Sequence, residues 1–390
     1  MNEINLIATT AFGLEAVTAR ELDKLGYTEH TTENGHIYYK GDLEAICKSN
    51  LWLRTADRVL LNMGQFKALS FEELFQGTRA IPWEEWLPDN AQFIVNGRSV
   101  KSKLFSIRDC QAIVKKAIAE RLKGAYKKSW IEETGPRFKI EVALLNDIAT
   151  LTIDTSGHGL HKRGYRAEVG GAPIKETLAA GLIMISRWKP DRALLDPLCG
   201  TGTIAIEAAM IGMNIAPGLN AHFDAEDWPI MMENGGELWK KAREEAEKAV
   251  EKDKELRIYA SDIDYFQLSL AMKHAHLAGV EDKIHFQKVD FGVTSSRFQY
   301  GFVITNPPYG ERLLEKQETE ELYKRMGRHF KNFPTWSFYV ITSCETFEKH
   351  FGRKANKRRK LYNGNLKCDY YQFWGPKPEF KEKNSEEVVE

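Results

Sequence analysis

Short apolar strands alternate with helices over the C-terminal part of the chain, and this pattern restricts the fold more than any other feature. The apolar runs are 193–196, 257–261, 284–289, 301–305 and 337–342, and helical periodicity predicts helices over 174–187, 203–210, 265–278 and 319–331. Continuously apolar strands separated by helices are typical of a parallel sheet that is covered on both faces. We therefore expect a doubly wound α/β domain, with an antiparallel hairpin at 360–374 as its edge.

Two smaller patterns precede this domain. Residues 1–64 follow a β-α-β-α-β order, which predicts a small α+β unit. Residues 65–155 combine helices at 70–80 and 110–123 with a strand at 92–97 and a hairpin that turns at Asn146-Asp147. The segment 156–166 has three glycines and little periodicity, so we place a linker there. Residues 379–390 are rich in acids and are expected to form a flexible tail.

Composition argues against a membrane or secreted protein. The longest apolar run, 178–185, has eight residues, whereas a membrane-spanning helix needs roughly 18–20. The N-terminus has neither a cationic segment nor a small-residue cleavage site. The five cysteines are widely spread and form no C-x-x-C pair, which suits a reducing compartment. We therefore expect a cytoplasmic protein without a membrane partner.

A loop with two glycines follows the first strand of the α/β domain. The strand ends in Asp196, and a helix begins after Gly202. Glycines let the backbone turn tightly and approach a ligand at the carboxyl edge of a parallel sheet. No Lys-Ser/Thr pair follows, which excludes a P-loop. The candidate cofactor residues of this loop are Asp196, Pro197, Cys199, Gly200, Thr201 and Gly202.

Carboxylates also follow the next two strands. Asp262 can accept hydrogen bonds from both ribose hydroxyls of a nucleoside-like ligand. Asp224 has the spacing of a dinucleotide site but follows no strand, and Asp264 is better placed to cap the next helix. Asp290 ends the third strand and could face an adenine amino group. A helix cap or a surface loop would explain each acid alone, but three at successive strand ends favour a nucleoside-like cofactor.

The segment Asn306-Pro307-Pro308-Tyr309 follows the strand at 301–305. Two prolines fix φ and remove N–H donors, so the turn is rigid. An exocyclic amino group of a base is a poor nucleophile, because its lone pair is delocalised into the ring. Asn306 Oδ1 and the Pro307 carbonyl could accept its two N–H groups, while the Tyr309 ring offers a face to an extruded base. We therefore expect amino methylation, with these four residues catalytic and Asn306 also contacting the cofactor.

These motifs resemble those of class I S-adenosylmethionine-dependent amino-methyltransferases. More narrowly, the chain is similar to THUMP-domain-containing RNA methyltransferases of the 23S rRNA guanine-N2 type, like the N-terminal module of RlmL. The stretches that carry this likeness are 154–166, 172–176, 215–219, 222–223, 305–312 and 360–364. The resemblance implies a ferredoxin-like domain over 1–64, a THUMP RNA-binding domain over 65–155 and a Rossmann-like methyltransferase domain over 167–378. It also implies S-adenosyl-L-methionine as cofactor.

Positive charge is concentrated locally, although the chain has 55 basic and 55 acidic residues. Residues 91–140 carry twelve Lys or Arg against four acids, and residues 350–372 carry seven against one. Such segregation can focus a polyanion onto one face, although solvated helix faces would give the same counts. With ribosomal RNA as the implied partner, the candidate RNA contacts are Lys162, Arg163, Arg166, Lys354, Arg358, Arg359 and Lys360.

Other chemistries have less support. Cys199 and Cys344 have no base or cation placed beside them by sequence, which disfavours covalent catalysis. His274 and His276 point to different helix faces, and no residue cluster has metal-ligand spacing, so no metal is expected. An adenine-N6 methyltransferase stays open, because Asn-Pro-Pro-Tyr serves both amino groups. A tRNA guanine-N2 methyltransferase stays open as well, because the sequence does not distinguish ribosomal from transfer RNA. The alternative from another class is a non-catalytic RNA-binding protein of ribosome assembly.

Overall fold

The computed structural model describes residues 3–166, 174–310 and 313–378, except the side chains of 234 and 313–316. The chain divides into two compact units. The described part of the first unit is 3–166, 175–181 and 213–253, and the second contains the other described residues. The predicted tail, 379–390, and the first residues of the predicted methyltransferase domain, 167–173, lie outside the described residues.

The first unit is built on one seven-stranded sheet with the order β2-β3-β1-β4-β7-β6-β5. In chain order its elements are β1 (Ile4–Thr10), α1 (Glu15–Lys24), β2 (His30–Glu33), β3 (His36–Gly41), α2 (Leu43–Trp52), β4 (Ala56–Lys67), α3 (Phe71–Ala80), β5 (Gln92–Val100), α4 (Ile107–Tyr126), β6 (Arg137–Leu145) and β7 (Ile148–Asp154). Strands β5 and β6 run parallel, and the other neighbours run antiparallel. The apolar stripe of α4, which includes Val114 and Ile118, packs in the same core as Phe138 of β6.

Strand β4 belongs to both N-terminal patterns. Residues 56–61 pair with β1, and residues 60–67 pair with β7, with a register shift between Asn62 and Gly64. The sequence predicts a strand only over 59–63 and a domain boundary between 64 and 65. The strand runs through that boundary, because backbone hydrogen bonds to β7 extend it beyond the last apolar residue of the predicted run. The two predicted modules therefore share one sheet.

The remaining elements are α5 (Glu176–Ser186), β8 (Leu194–Asp196), α6 (Thr203–Gly212), α7 (Pro229–Met232), α8 (Glu237–Lys248), β9 (Ile258–Asp262), α9 (Tyr265–Leu277), β10 (Ile284–Lys288), β11 (Phe302–Thr305), α10 (Leu313–His329), β12 (Ser337–Thr342), α11 (Phe347–Phe351), β13 (Lys357–Asn363) and β14 (Leu366–Phe373). The second unit has a sheet with the order β10-β9-β8-β11-β12-β14-β13. Strands β8 to β12 run parallel, and β14 is antiparallel to β12 and β13. The predicted parallel sheet with an antiparallel edge hairpin is confirmed.

Residues 213–253 form an insertion between α6 and β9, and this insertion groups with the first unit. The Trp228 ring stacks on Phe138 with centroids 5.1 Å apart. The Lys139 ammonium lies 2.9 Å from the Asp224 carboxylate, so Asp224 has a structural partner rather than a place at a strand end. The sequence predicts an insertion here but neither α7 nor α8. Among the described residues, no helix is long and apolar enough to cross a membrane.

An aromatic cluster fixes the helices that follow β11 in the second unit. Phe330 stacks on Phe338 of β12 with ring centroids 4.7 Å apart. Tyr323 of α10 and Phe347 of α11 meet edge to face at 4.8 Å. Buried aromatic pairs contribute roughly 0.5–1.5 kcal/mol each beyond the area they bury. The cluster therefore holds α10 and the residues that follow it against β12 and α11.

Candidate active site

Four predicted site residues lie at one edge of the second sheet. Asp196 ends β8 and Asp262 ends β9, while Asp290 and Asn306 follow β10 and β11. These four parallel strands are neighbours in the order β10-β9-β8-β11. The carboxyl ends of parallel strands meet at the same edge of a sheet, where ligands of such folds bind. The structure thus brings together residues that are separated by more than a hundred positions in the chain.

Asp196 is a buried tie between two strands. It is 1% exposed, and its Oδ1 accepts a 2.7 Å hydrogen bond from Thr305 Oγ1 of β11. Burial raises the pKa of its carboxyl to about 7, although the Thr305 hydroxyl works in the opposite direction. The sequence predicts Asp196 as a cofactor contact. Its burial and its bond to Thr305 also make it a support of the site, because it connects the glycine loop to β11, the strand that precedes Asn306.

The two glycines of the loop have different surroundings. Both adopt positive φ, +50° at Gly200 and +80° at Gly202. A Cβ built on Gly200 would meet no atom of the described residues within 4 Å, so open space lies in front of this backbone. A Cβ on Gly202 would lie 2.9 Å from Cβ of Ala271 in α9. Gly200 therefore leaves room for a ligand, whereas Gly202 is needed for close packing against α9.

The rest of the loop is tied down by main-chain bonds. The Cys199 amide donates to the Ser261 carbonyl over 2.9 Å, and the Gly202 amide donates to the Cys199 carbonyl over 2.8 Å. Burial raises the pKa of the Cys199 thiol far above its ordinary value, so it is not a thiolate nucleophile. Pro197 and Thr201 are buried as well.

Asp262 connects the loop to β9. Its Oδ2 accepts a 2.9 Å hydrogen bond from the Gly200 amide, and its Oδ1 accepts one of 2.9 Å from the Asp264 amide. A carboxylate has about four acceptor positions, so two remain for a ribose. Asp264 caps α9 by accepting from the amides of Phe266 and Gln267, as predicted.

Asp290 is engaged by a cation. Its Oδ1 lies 2.7 Å from the Arg325 guanidinium and also accepts from the Gly292 amide over 2.8 Å. Partial burial opposes ionisation, but the Arg325 interactions outweigh it and hold the pKa of Asp290 below its ordinary value. Asp290 is therefore an ionised acceptor. The sequence did not single out Arg325, whose position on α10 at a strand end is visible only in three dimensions.

Asn306 and Tyr309 form one hydrogen-bonded unit. The Tyr309 hydroxyl donates to Asn306 Oδ1 over 2.6 Å. The carbonyl of Pro308 accepts from the hydroxyl of Tyr323 over 2.8 Å, which anchors the turn to α10. Pro307 is buried, whereas Pro308 is exposed. Burial raises the pKa of the Tyr309 hydroxyl, so this group stays a donor at neutral pH. Tyr323 is a supporting residue that the sequence reasoning missed.

The predicted RNA contacts fall into two groups, one in each unit. In the first unit Lys162 is exposed, and Arg166 lies 3.2 Å from the Glu176 carboxylate. Arg163 is 5% exposed and donates to the carbonyls of Leu160 and Arg54, so it holds the backbone and is removed from our candidate contacts. A basic residue in a glycine-rich linker resembles an RNA contact in sequence, and only its burial distinguishes it.

In the second unit the basic residues precede and follow the start of β13, an edge strand. Lys354 and Lys360 are exposed, and Arg359 is half-buried. Arg358 pairs with Asp369 of β14 at 2.5 Å, so part of its charge is neutralised. Among the described residues, no group of three or more His, Cys, Asp or Glu side chains could hold a metal ion.

Family models match nearly the whole chain. Residues 163–372 match the "RMKL-like, methyltransferase domain", residues 5–60 the "RlmL ferredoxin-like domain" and residues 68–154 the "THUMP domain". The Bacillus subtilis (strain 168) protein named "Putative RNA methyltransferase YpsC" is 52% identical over 96% of this chain and 97% of its own.

Solved structures agree with this assignment. A Listeria monocytogenes structure described as "a predicted N6-adenine-specific DNA methylase" has a TM-score of 0.92 and 51% identity, covering 96% of this chain and 97% of its own. "SMU.472, a putative methyltransferase complexed with SAH" has a TM-score of 0.92 and 46% identity, covering 97% of this chain and 100% of its own. The chain therefore belongs to the family of RMKL-like, S-adenosylmethionine-dependent RNA methyltransferases that carry a THUMP domain.

Proposed function

We propose that this protein methylates the exocyclic N2 of a guanine in 23S ribosomal RNA, with S-adenosylmethionine as methyl donor. The observation that carries the proposal is the position of Asn306. Asn306 directly follows β11, so its side-chain amide lies at the sheet edge where Gly200 and Asp262 also lie. An amide acceptor beside a nucleoside-binding loop suits the activation of an amino group. Ribosomal RNA as substrate places the reaction in the cytoplasm.

The loop and the strand-end acids suit the proposed cofactor. When bound, S-adenosylmethionine supplies an electrophilic methyl group on a sulfonium centre. The open space in front of Gly200 lets a ligand approach the loop backbone. Asp262 keeps free acceptor positions for ribose hydroxyls, and Asp290 is held ionised by Arg325 at 2.7 Å. Asp196 holds the loop in register with Asn306 through Thr305.

The catalytic step needs acceptors rather than a strong base. Asn306 Oδ1 and the Pro307 carbonyl accept the two N–H groups of the target amine, which localises the lone pair on nitrogen. Tyr309 already donates to Oδ1, and that oxygen has a second lone pair for the base. Most of the rate enhancement then comes from orientation, which can supply several kcal/mol in a well-aligned site.

RNA is favoured over DNA by the THUMP match at 68–154, since this segment overlaps the region of basic excess. An adenine N6 is the second candidate, because the relative from Listeria monocytogenes carries that name at 51% identity. The same two acceptors would serve either amine. A guanine N2 is preferred because the stretches 154–166 and 305–312 resemble those of the 23S rRNA guanine-N2 methyltransferases.

A direct test incubates the purified protein and isotopically labelled S-adenosylmethionine with separated 23S rRNA, 16S rRNA, tRNA and DNA from a strain that lacks the gene. Nuclease digestion and mass spectrometry then identify the labelled nucleoside. We expect N2-methylguanosine in the 23S fraction with the parent protein and none with Asn306→Ala. Labelled N6-methyladenosine, or label confined to another fraction, would replace the proposed target. Cofactor binding without transfer to any nucleic acid would favour the non-catalytic alternative.

A further inference from the structure

The crossover from β10 to β11 places no covering helix over β9 and β10 on one face of the second sheet. The segment 289–301, all of which is described, contains a short 3-10 turn at Phe291–Val293 and no α-helix. The helices α6 and α9 contact β9 and β10. On the other face, residues 293–298 and the side chains of Tyr259, Ser261 and Gln287 line a cavity of about 400 Å³. Ligand sites of small molecules have volumes of roughly 300–1,000 Å³.

The inner wall of this cavity has an unused polar group. Ser261 is 3% exposed, and its Oγ has no hydrogen-bond partner among the described residues. A buried hydroxyl without a partner costs free energy, so the position favours a ligand that supplies one. Gln287 is paired with Ser261 in the register of β9 and β10 and lines the same cavity. Together they offer a hydroxyl and an amide, each of which can donate and accept.

The outer wall is aromatic and positively charged. The Trp336 indole N–H donates to the Phe298 carbonyl over 2.9 Å, which fixes both residues beside each other. Two guanidinium groups lie over the Phe298 ring, that of Arg257 at 4.9 Å and that of Arg297 at 5.3 Å from its centroid. Of these two arginines, Arg297 lines the cavity, and none of the described lining residues carries a carboxylate. This wall therefore suits an anion that is attached to a flat ring.

We infer that the cavity is a second ligand site, which binds a nucleotide. Tyr259, Phe298 and Trp336 supply apolar contact for the base, and aromatic side chains stack on any base. Ser261 and Gln287 meet hydrogen-bonding groups of the base, and Arg297 meets the phosphate, which its guanidinium can bind in a bidentate manner. The nucleotide is either free or part of a bound RNA, since both present the same ring and phosphate.

The cavity is separate from the proposed cofactor contacts but adjoins them. Ser261 precedes Asp262, and its carbonyl accepts the 2.9 Å hydrogen bond from the Cys199 amide of the glycine loop. The cavity side chains lie on the sheet face, whereas the proposed cofactor residues lie at the carboxyl edge. A nucleotide should therefore bind while the cofactor site is filled, and methyl transfer is not needed to detect it.

The test titrates AMP, GMP and inorganic phosphate into the full chain saturated with S-adenosylhomocysteine, by calorimetry. A short oligoribonucleotide is titrated in parallel. We expect Arg297→Gln to weaken nucleotide binding ~10-fold or more and Ser261→Ala to weaken it ~5-fold, the sizes typical of a charged and a neutral hydrogen bond. The control is Arg192→Gln, because Arg192 lies over the Tyr300 ring at 5.8 Å and does not line the cavity. All variants should retain their affinity for S-adenosylhomocysteine.

The two sources give different results. Binding of AMP or GMP that Arg297→Gln weakens identifies a free nucleotide. Loss confined to the oligoribonucleotide identifies a nucleotide of the RNA. The inference is overturned if neither ligand distinguishes Arg297→Gln from Arg192→Gln. It is also overturned if nucleotide binding, measured in a parallel titration without S-adenosylhomocysteine, is lost when the chain is saturated with it. Inorganic phosphate that binds as tightly as AMP would also overturn it, because the ring would then contribute nothing.

Discussion

The Tyr309 hydroxyl donates a 2.6 Å hydrogen bond to Oδ1 of Asn306. This oxygen is the atom that we propose as acceptor for an N–H group of the target amine. An amide NH₂ group cannot accept a hydrogen bond, so this contact fixes the side of the Asn306 amide on which its oxygen lies. Tyr309 therefore has a positioning role in addition to the stacking role expected from the sequence. The turn that joins the two residues is itself held by Tyr323 through the Pro308 carbonyl.

Replacing Asn306 should separate chemistry from binding. In Asn306→Ala we expect kcat to fall ~10²-fold or more, because the lost hydrogen bond strengthens as the amine becomes nucleophilic. Affinity for S-adenosylhomocysteine should change no more than a few-fold. Single-turnover methyl transfer and calorimetry measure the two quantities. Turnover equal to that of the parent would remove Asn306 from the mechanism.

Replacing Tyr309 by Phe should have a smaller effect. Tyr309→Phe keeps the ring and removes only the bond to Oδ1, so we expect kcat to fall about 5- to 10-fold, the size of one neutral hydrogen bond. Tyr309→Leu removes the ring as well and should also raise KM for RNA. If Tyr309→Phe and Tyr309→Leu have identical kinetics, the ring has no stacking role.

Alanine at the two loop glycines should produce different defects. Gly202→Ala places a Cβ 2.9 Å from Ala271 Cβ at a φ of +80°, so we expect a loss of unfolding free energy of about 1–3 kcal/mol. At Gly200 a Cβ meets open space at a φ of +50°, so Gly200→Ala should lower the unfolding free energy by only about 1–2 kcal/mol. Because this Cβ would occupy the space in front of the loop, the variant should bind the cofactor at least 10-fold more weakly. Urea unfolding and calorimetry distinguish these defects. The open space in front of Gly200 is not a ligand site if cofactor affinity survives in Gly200→Ala.

The buried Asp196 should make stability depend on pH. Its folded-state pKa of about 7 lies above the unfolded value of 3.8, so its stabilising contribution is full below about pH 4 and is lost as the pH rises to 7. The non-titrating Asp196→Asn should therefore gain stability relative to the parent over this range, by at most about 1.4 kcal/mol per pH unit. Urea unfolding between pH 4.5 and 8 measures the difference, with Asp191→Asn as an exposed control. Parallel curves for parent and Asp196→Asn would contradict the raised pKa.

The positive charges at the start of β13 should strengthen RNA binding independently of the RNA sequence. We expect Arg359→Gln combined with Lys360→Gln to weaken binding of unrelated RNAs alike and to reduce the salt dependence by about two phosphate contacts. Arg358 is left intact, because its removal would leave the poorly exposed Asp369 carboxylate without this ion-pair partner. Arg328→Gln serves as the control, since that arginine forms an exposed pair on α10. An unchanged salt slope in the double variant would assign these residues to solvation of the strand.

The sequence predicted most of the second unit because its strands are short and apolar and its helices have clear periodicity. Asp262 and Asn306 could be placed at one edge because parallel strands bring their carboxyl ends together. The roles of Asp196 and Arg163 could not be predicted, because burial depends on what packs around a polar side chain. The helix α8 was missed although its buried residues Trp239, Ala242 and Ala246 have helical spacing. Its packing within the first unit involves residues more than a hundred positions away.

Strand β4 also determines which part of the chain can be transferred to another protein. The segment that matches the THUMP model begins at residue 68, just after β4 ends at Lys67. A fragment cut at that point would expose the edge of β7 that pairs with residues 60–67 in the intact sheet. Unpaired edges of this kind recruit strands from other molecules and lead to aggregation. A THUMP graft from this protein therefore has to begin upstream of β4. The graft then includes β4, the strand that pairs with β7 and that also pairs with β1 of the ferredoxin-like domain.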